Sequence, residues 1–419
     1  MPEGEEIEVL LKENDGEEET TPTPIVSKPS EEGSHQMALQ VFPSFIIAGI
    51  GLVAAGLVLD KVQHWEVYTK LHQITVLVTP LLGLKGNLEM TLASRLSTFA
   101  NRPNKKHSNL TAAWGNICLV QLQATVVGIL AAIVAAVFGW IPKGQFNFQN
   151  SVVAASASVA TAMSASLILS VVMVLVVTGA RKCKLNPDNI ATPLAAALGD
   201  VTTLTLLSAI ASLIYLSHFK WLPYLILSIA LCLSPFWYIM SAKNELVKDA
   251  LSDGWTPIIS AMVISSAGGL VLDFALSSFE GLAVFQPVVN GAGGNIAAIH
   301  ASRLSTALHT DKPINIKKSA FVLLGIMIPG HLAFLGIITY CEAGHVAITP
   351  ALIISYFCAA LLQVIILLFI APVIVKAAWN RKLDPDSVAI PYLTAIGDLL
   401  GSMFLLTAFY LLHKMNSLN

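Results

Sequence analysis

Eleven stretches of the chain are apolar over the length of a helix: residues 41–59, 74–98, 113–141, 152–178, 190–216, 222–241, 257–276, 283–308, 319–340, 350–375 and 388–412. About 20 such residues suffice to cross the hydrocarbon core of a bilayer as a helix. Lipid offers backbone groups no hydrogen-bond partners, so helices are the structure these runs adopt. The pattern predicts an all-α polytopic membrane protein of about eleven transmembrane helices.

Two of the runs carry a carboxylate far inside, in closely similar surroundings. Asn186-Pro187-Asp188, Pro193 and Gly199-Asp200 recur as Asp384-Pro385-Asp386, Pro391 and Gly397-Asp398. With helix starts near Ile190 and Val388, each inner aspartate lies about ten residues in, roughly 15 Å deep at ~1.5 Å per residue. An ionisable group at mid-bilayer depth is costly and points to function. Other segments repeat as well. Gly56-Leu57-Val58-Leu59-Asp60 returns as Gly269-Leu270-Val271-Leu272-Asp273. Asn87 with Ala93-Ser94-Arg95-Leu96-Ser97-Thr98 returns as Asn295 with Ala301-Ser302-Arg303-Leu304-Ser305-Thr306. The chain thus reads as two five-helix repeats, 41–218 and 256–419, joined by a linking helix and loop at 219–255. The extra span restores the orientation of the second copy, so the two repeats are expected to be parallel about a pseudo-twofold axis along the membrane normal.

Charge orients this arrangement. Fourteen Lys and Arg fall in one set of short loops and five in the other, which predicts a cytosolic N-terminus and a C-terminus on the extracellular or lumenal side. Residues 1–40 hold eleven acids against Lys12 and Lys28 and little that is apolar, the composition of a disordered cytosolic tail. Overall the chain is 55% hydrophobic and 12% charged, with a mean hydropathy of +0.71. This excludes a water-soluble domain and gives no basic surface for nucleic acid. The five cysteines are scattered singly, without metal-type or disulfide-framework spacing.

If the fifth helices meet at the axis, Asp200 and Asp398 face one another at equal depth, and their repulsion calls for a proton or a cation between them. Hard divalent cations take oxygen ligands, and Mg²⁺ keeps several waters and uses one or two carboxylates. Asp200 and Asp398 are therefore the candidate metal ligands. Pro193 and Pro391 release carbonyl oxygens one turn back along each helix. Gly199 and Gly397 let another backbone approach. The run Pro287 to Asn295, with Asn290, Gly291, Gly293 and Gly294, reads as a glycine-rich break inside a span, answered in the first half by Pro80 to Asn87. Two readings stand for it: backbone lining the ion path, or glycines for tight helix packing. Asn87, Glu89, Asn290 and Asn295 are secondary candidates for the pathway. Glu89 is spaced to pair with Lys85. Asp60 and Asp273, at the ends of the first helices, are candidates for an entry ring, against the plainer reading of solvated helix ends.

The glycine-rich Pro287 to Asn295 segment and the Asp384 to Gly401 stretch resemble the MgtE family of magnesium transporters. The doubled arrangement, with Gly83-Leu84-Lys85-Gly86-Asn87-Leu88-Glu89 in the first half, resembles its animal branch, solute carrier family 41. The resemblance spans residues 41 to 413. It implies Mg²⁺ as the transported ion, no cofactor, Asp200 and Asp398 as central ligands at the interface of the halves, and function as a monomer that is itself a pseudo-dimer in membrane lipid. Bacterial members have a large cytosolic sensor domain, and here only the acidic tail is expected in its place. Lys85 replaces a glycine of the second copy, so the pathway is expected to be asymmetric. That admits Na⁺-coupled Mg²⁺ efflux, an activity proposed for animal members, at the plasma membrane. The alternatives are a channel-like divalent cation uniporter and a Na⁺- or H⁺-coupled carrier of another substrate. An intramembrane aspartyl protease is the enzyme alternative. It is disfavoured because the two aspartate motifs are copies of each other and no Pro-Ala-Leu segment accompanies them.

Overall fold

The computed structural model describes residues 34–101, 109–140, 146–183, 187–244, 247–248, 251, 255–279, 281–310, 315–343 and 349–416. Residues 1–33 of the acidic tail lie outside this set, as do Arg102, Lys105, Lys106, Lys143, Lys184 and Lys312 of the loops that orient the chain. The first half contributes α1 (Ser34–Val62), a short α2 (Glu66–Lys70), α3 (His72–Asn101), α4 (Asn109–Trp140), α5 (Phe148–Lys182) and α6 (Pro187–Leu216). The linking helix is α7 (Leu222–Ala242). The second half contributes α8 (Trp255–Ser278), α9 (Leu282–Thr310), α10 (Ile316–Tyr340), α11 (Pro350–Asn380) and α12 (Pro385–Asn416). Helix α1 begins seven residues before the apolar run, and α2 is a single turn that the apolar pattern does not mark.

Every described element is a helix, as a chain immersed in lipid requires. Ten of the helices are long and apolar enough to span a membrane by length and composition. The eleventh run, α3, carries Lys85, Glu89 and Arg95 and is not among these ten, which are drawn from the described residues. Helix starts follow capping chemistry. Asn315 accepts from the Lys318 amide at 3.0 Å, Thr349 accepts from the Leu352 amide at 3.2 Å, and Pro350 opens α11, where its missing N–H costs nothing.

The first helix of each half is exchanged with the other half. Helix α1 packs on α6 of its own half but also on α9 and α10, and α8 packs on α12 but also on α3 and α4. Glycines permit the crossings. Gly56 of α1 lies against the carbonyl of Val284 in α9, and Gly269 of α8 lies against the carbonyl of Val76 in α3. Any side chain at either glycine would collide with main chain, so these contacts depend on the missing Cβ. Helix α7 packs chiefly on α4 and α5 among the described residues and leaves Tyr224, Leu231 and Tyr238 exposed.

The glycine-rich run is not a break. Helix α9 continues unbroken from Leu282 to Thr310 with Pro287 inside it. Its glycines receive neighbours instead. Gly291 takes Leu52 of α1, Gly293 takes the Gln363 side chain of α11, and Gly294 takes Thr394 of α12. The contacts of this run are those of glycines in tight helix packing, since a helix can hold glycines wherever tertiary contacts repay their conformational cost.

Candidate functional site

Asp398 sits in the middle of α12, 9% exposed, where α8, α9 and α3 converge. Ser265 of α8 donates to its Oδ2 at 2.6 Å, a short charge-assisted bond. The same oxygen lies 2.6 Å from where a Cβ would stand at Gly83 of α3. Gly83 thus leaves the room that the carboxylate occupies. The main chain is held too. Asn290 of α9 donates through Nδ2 to the Asp398 carbonyl and to Ser402 Oγ, each at 3.0 Å. Gln363 of α11 donates through Nε2 to the Gly397 carbonyl at 2.9 Å. The Asn290 and Gln363 side-chain oxygens are buried and have no hydrogen-bond partner among the described residues.

Asp200 occupies the corresponding place on α6 but is half-buried. Its charge is within electrostatic range of Asp398. The position equivalent to Ser265 is Leu52, which has no hydroxyl to offer. Glu89 is 1% exposed, and its Oε2 lies 3.5 Å from where a Cβ would stand at Gly199, the residue before Asp200.

Among the described residues the contacts between the two aspartate helices run through α3. Among the described residues α12 packs on α3 and α3 packs on α6, while α6 and α12 form no comparable interface. Helix α3 stands between them. Gly83 and Asn87 face α12, with Thr394 donating to Asn87 Oδ1 at 3.1 Å, and Glu89 faces α6. Asp398 thus lies at Gly83 of α3, while Gly199, the neighbour of Asp200, lies at Glu89. The duplicated motif shows two equal aspartates, and their surroundings differ, with Ser265 at one and Leu52 at the equivalent place of the other.

The remaining candidates lie around this centre or apart from it. Asn295 is half-buried on α9, and its equivalent of the Asn87–Thr394 bond would require a hydroxyl at position 196, which is Ala196. Asp60, 8% exposed at the end of α1, accepts from Gln63 Nε2 at 3.2 Å. Asp273 Oδ1 pairs with His72 Nδ1 of α3 at 3.1 Å, about eight residues or ~12 Å along α8 from Ser265. These two acids tie helix ends and do not touch Asp398. Ser265, Thr394 and Gln363 escape the sequence analysis because they are departures from the repeat, and a search for repeated residues passes over departures; Gly83 is repeated as Gly291 and was noted as part of the first-half motif, but not as the residue that makes room for Asp398. Among the described residues no three His, Cys, Asp or Glu side chains cluster closely enough to hold an ion. The charged part of the site is two aspartates, with Glu89 beside one of them.

Comparison with known proteins places the chain in a family. The family model of MgtE, described as a divalent cation transporter, matches residues 78–210 and again 286–408. Solute carrier family 41 member 2 of Homo sapiens is 45% identical over 427 residues, 95% of this chain and 74% of that protein. The Xenopus laevis protein of the same name is 45% identical over 92% of this chain and 73% of its own length. Solute carrier family 41 member 3 of Mus musculus is 42% identical over 91% of this chain and 84% of its own length. No solved structure matches. Two successive matches to one transporter model, each ending just beyond an inner aspartate, place the pair in a transporter and not in a peptidase. The chain belongs to the MgtE family of divalent cation transporters, within solute carrier family 41.

Proposed function

We propose that this chain carries Mg²⁺ across a membrane between its two halves, with Asp200 and Asp398 as the charged ligands and neutral oxygens, among them that of Asn87, completing a largely hydrated shell. The observation that carries the reading is Asp398 itself. It is a buried carboxylate with one oxygen on Ser265, turned into the space left by Gly83 and within range of a second carboxylate. A buried pair of like charges needs a counter-charge, and Mg²⁺ accepts one or two carboxylates while keeping its waters. Both aspartates come from one chain, so a monomer built as two parallel repeats joined by α7 supplies the whole site. The loop charges favour a cytosolic N-terminus, and the plasma membrane is the proposed location.

Coupling to Na⁺ is the second reading. The unequal settings of the two aspartates favour it over a symmetric channel, because a carrier needs two unlike states of one site. Mg²⁺ flux into proteoliposomes, with and without a Na⁺ gradient, decides among these for the wild type and the Asp200→Asn/Asp398→Asn variant. Flux that follows Na⁺ and is lost in the variant makes the protein an exchanger. Flux that ignores Na⁺ yet needs the pair makes it a uniporter. Undiminished flux in a folded double variant overturns the ligand assignment.

A further inference from the structure

The polar groups that hold Asp398 have apolar counterparts around Asp200. Ser265 of α8 lies four residues before Gly269, and Leu52 of α1 lies four residues before Gly56, so the two positions are equivalent. Asn290 lies five residues before Asn295, and the residue five before Asn87 is Leu82. Ser402, the other acceptor for Asn290, stands four residues after Asp398, where Leu204 follows Asp200. Nothing answers the Gln363 amide, since α5 carries neither Asn nor Gln from Ser151 to Lys182.

The difference is steric as well as polar. Asp398 is seated in a nest made by the missing side chain of Gly83 and the hydroxyl of Ser265. Its Oδ2 stands 2.6 Å, and Ser265 Oγ 3.1 Å, from the Cβ position of Gly83. Its main chain is gripped as well, by the Asn290 and Gln363 amides and by Gly268 of α8, whose Cβ position is 3.1 Å from the Asp398 carbonyl oxygen.

Gly83 lies four residues before Asn87, and Gly291 lies four before Asn295, so the matching nest for Asp200 is at Gly291 of α9. Leu52 fills that nest. Both of its methyl groups crowd the Cβ position of Gly291, with Cδ1 at 2.9 Å, and Leu52 is 2% exposed. A carboxylate cannot share this space, and methyl groups offer a buried charge no donor. Asp200 is accordingly half-buried where Asp398 is 9% exposed.

We propose that the two carboxylates divide the work, with Asp398 the stationary ligand and Asp200 the ligand that moves, kept out of its nest by Leu52. Leu52 is then a positioning residue for the transport site. The inference rests on the Asp200–Asp398 reading and adds how the pair shares one ion. A preorganised ligand binds at little cost in ordering. Two of them would also retain the ion, whereas passage needs binding weak enough to leave. One held and one loose carboxylate meet both demands.

Mg²⁺ flux in proteoliposomes tests this through two comparisons. Leu52→Ser supplies the hydroxyl that Ser265 supplies in the other half, so Asp200 becomes held. The half-maximal Mg²⁺ concentration falls severalfold, and the maximal rate falls with it because release slows. Leu52→Ala, which empties the nest without a hydroxyl, does not lower the half-maximum. If Leu52→Ser does not fold, Leu52→Thr takes its place. A hydroxyl variant that loses rate at an unchanged or raised half-maximum makes Leu52 ordinary packing and overturns the proposal. So does Leu52→Ala that lowers the half-maximum equally. The second comparison lengthens each ligand by one methylene. Asp398→Glu, confined to a filled nest, loses severalfold more flux than Asp200→Glu, and equal losses overturn the division. These failures leave the aspartate assignment standing if the Asp200→Asn/Asp398→Asn variant loses flux. Retained flux in that variant removes the assignment and the division together.

Discussion

Asp398 and Asp200 occupy equivalent places in sequence, yet their surroundings differ by one hydroxyl at the carboxylate, that of Ser265 where the other half has Leu52. Ser265 holds one oxygen of Asp398 at 2.6 Å, which orients the carboxylate and, on the proposed reading of Asp398 as a ligand, leaves its other oxygen for the ion. A partner that orients a metal ligand is commonly worth 10–100-fold in affinity. Ser265→Ala is therefore expected to weaken Mg²⁺ binding by about tenfold, at the low end of that range because the carboxylate itself remains. The expected reading is a rise in the Mg²⁺ concentration for half-maximal flux with the folded fraction unchanged, and an unaltered half-maximum would mean that Ser265 only fills space. The aspartates were legible because each is a charge inside an apolar run. Ser265 was not, because a serine in a membrane helix is ordinary until the carboxylate it meets is known, and that carboxylate is 133 residues away. Asn290 was legible as a polar residue at depth. Its use, as a donor to the Asp398 carbonyl and Ser402, emerged only with the packing of α9 on α12.

At the scale of helices, the apolar runs gave the number and order of the long elements because backbone in lipid has no other stable form. The glycine-rich run of α9 was ambiguous for a physical reason. Glycine serves equally where a helix stops and where another helix must come close, and only the partner distinguishes the cases. Gly56 and Gly269 show the second use in matched form, each against a carbonyl of a helix in the opposite half. Gly56→Val and Gly269→Val should each force main chains apart, at the ~1–3 kcal/mol typical of overpacking or more. Since the two contacts are equivalent, the losses should be similar. Thermal unfolding in detergent checks this, and a melting temperature left unchanged by either variant would show that the crossing yields without cost. A lone valine on the lipid-facing side of α7, Leu231→Val, serves as the control and is expected to be silent, since Leu231 is 58% exposed.

For the whole molecule, the exchange of first helices decides how the halves depend on one another. The repeat was evident from the sequence as two parallel five-helix units about a pseudo-twofold axis, with nothing to show how far their helices interpenetrate. The contacts describe something more interlocked. Helix α1 gives its packing to α9 and α10, and α8 gives its packing to α3 and α4, so each half without its partner leaves helix faces built for close contact facing lipid. Small residues on such faces lose the van der Waals contacts that drive association in membranes, where lipid tails supply no hydrophobic force between helices. Cutting the chain between α7 and α8, in the segment 243–254, tests this directly. Either half alone is expected to be degraded or aggregated, and the two expressed together are expected to assemble and restore Mg²⁺ flux, because no contact of the site requires the covalent link. A first half that accumulates alone as a monodisperse species would show that the exchange is incidental to folding. Recovery of assembly without flux would locate a further requirement in the linking segment itself. The same experiment bears on the unequal aspartates, since Asp398 reaches the face of α3 only because the halves are interlocked. If co-expressed halves transport and Asp398→Asn in the second half alone abolishes it, the site must be assembled across the two pieces.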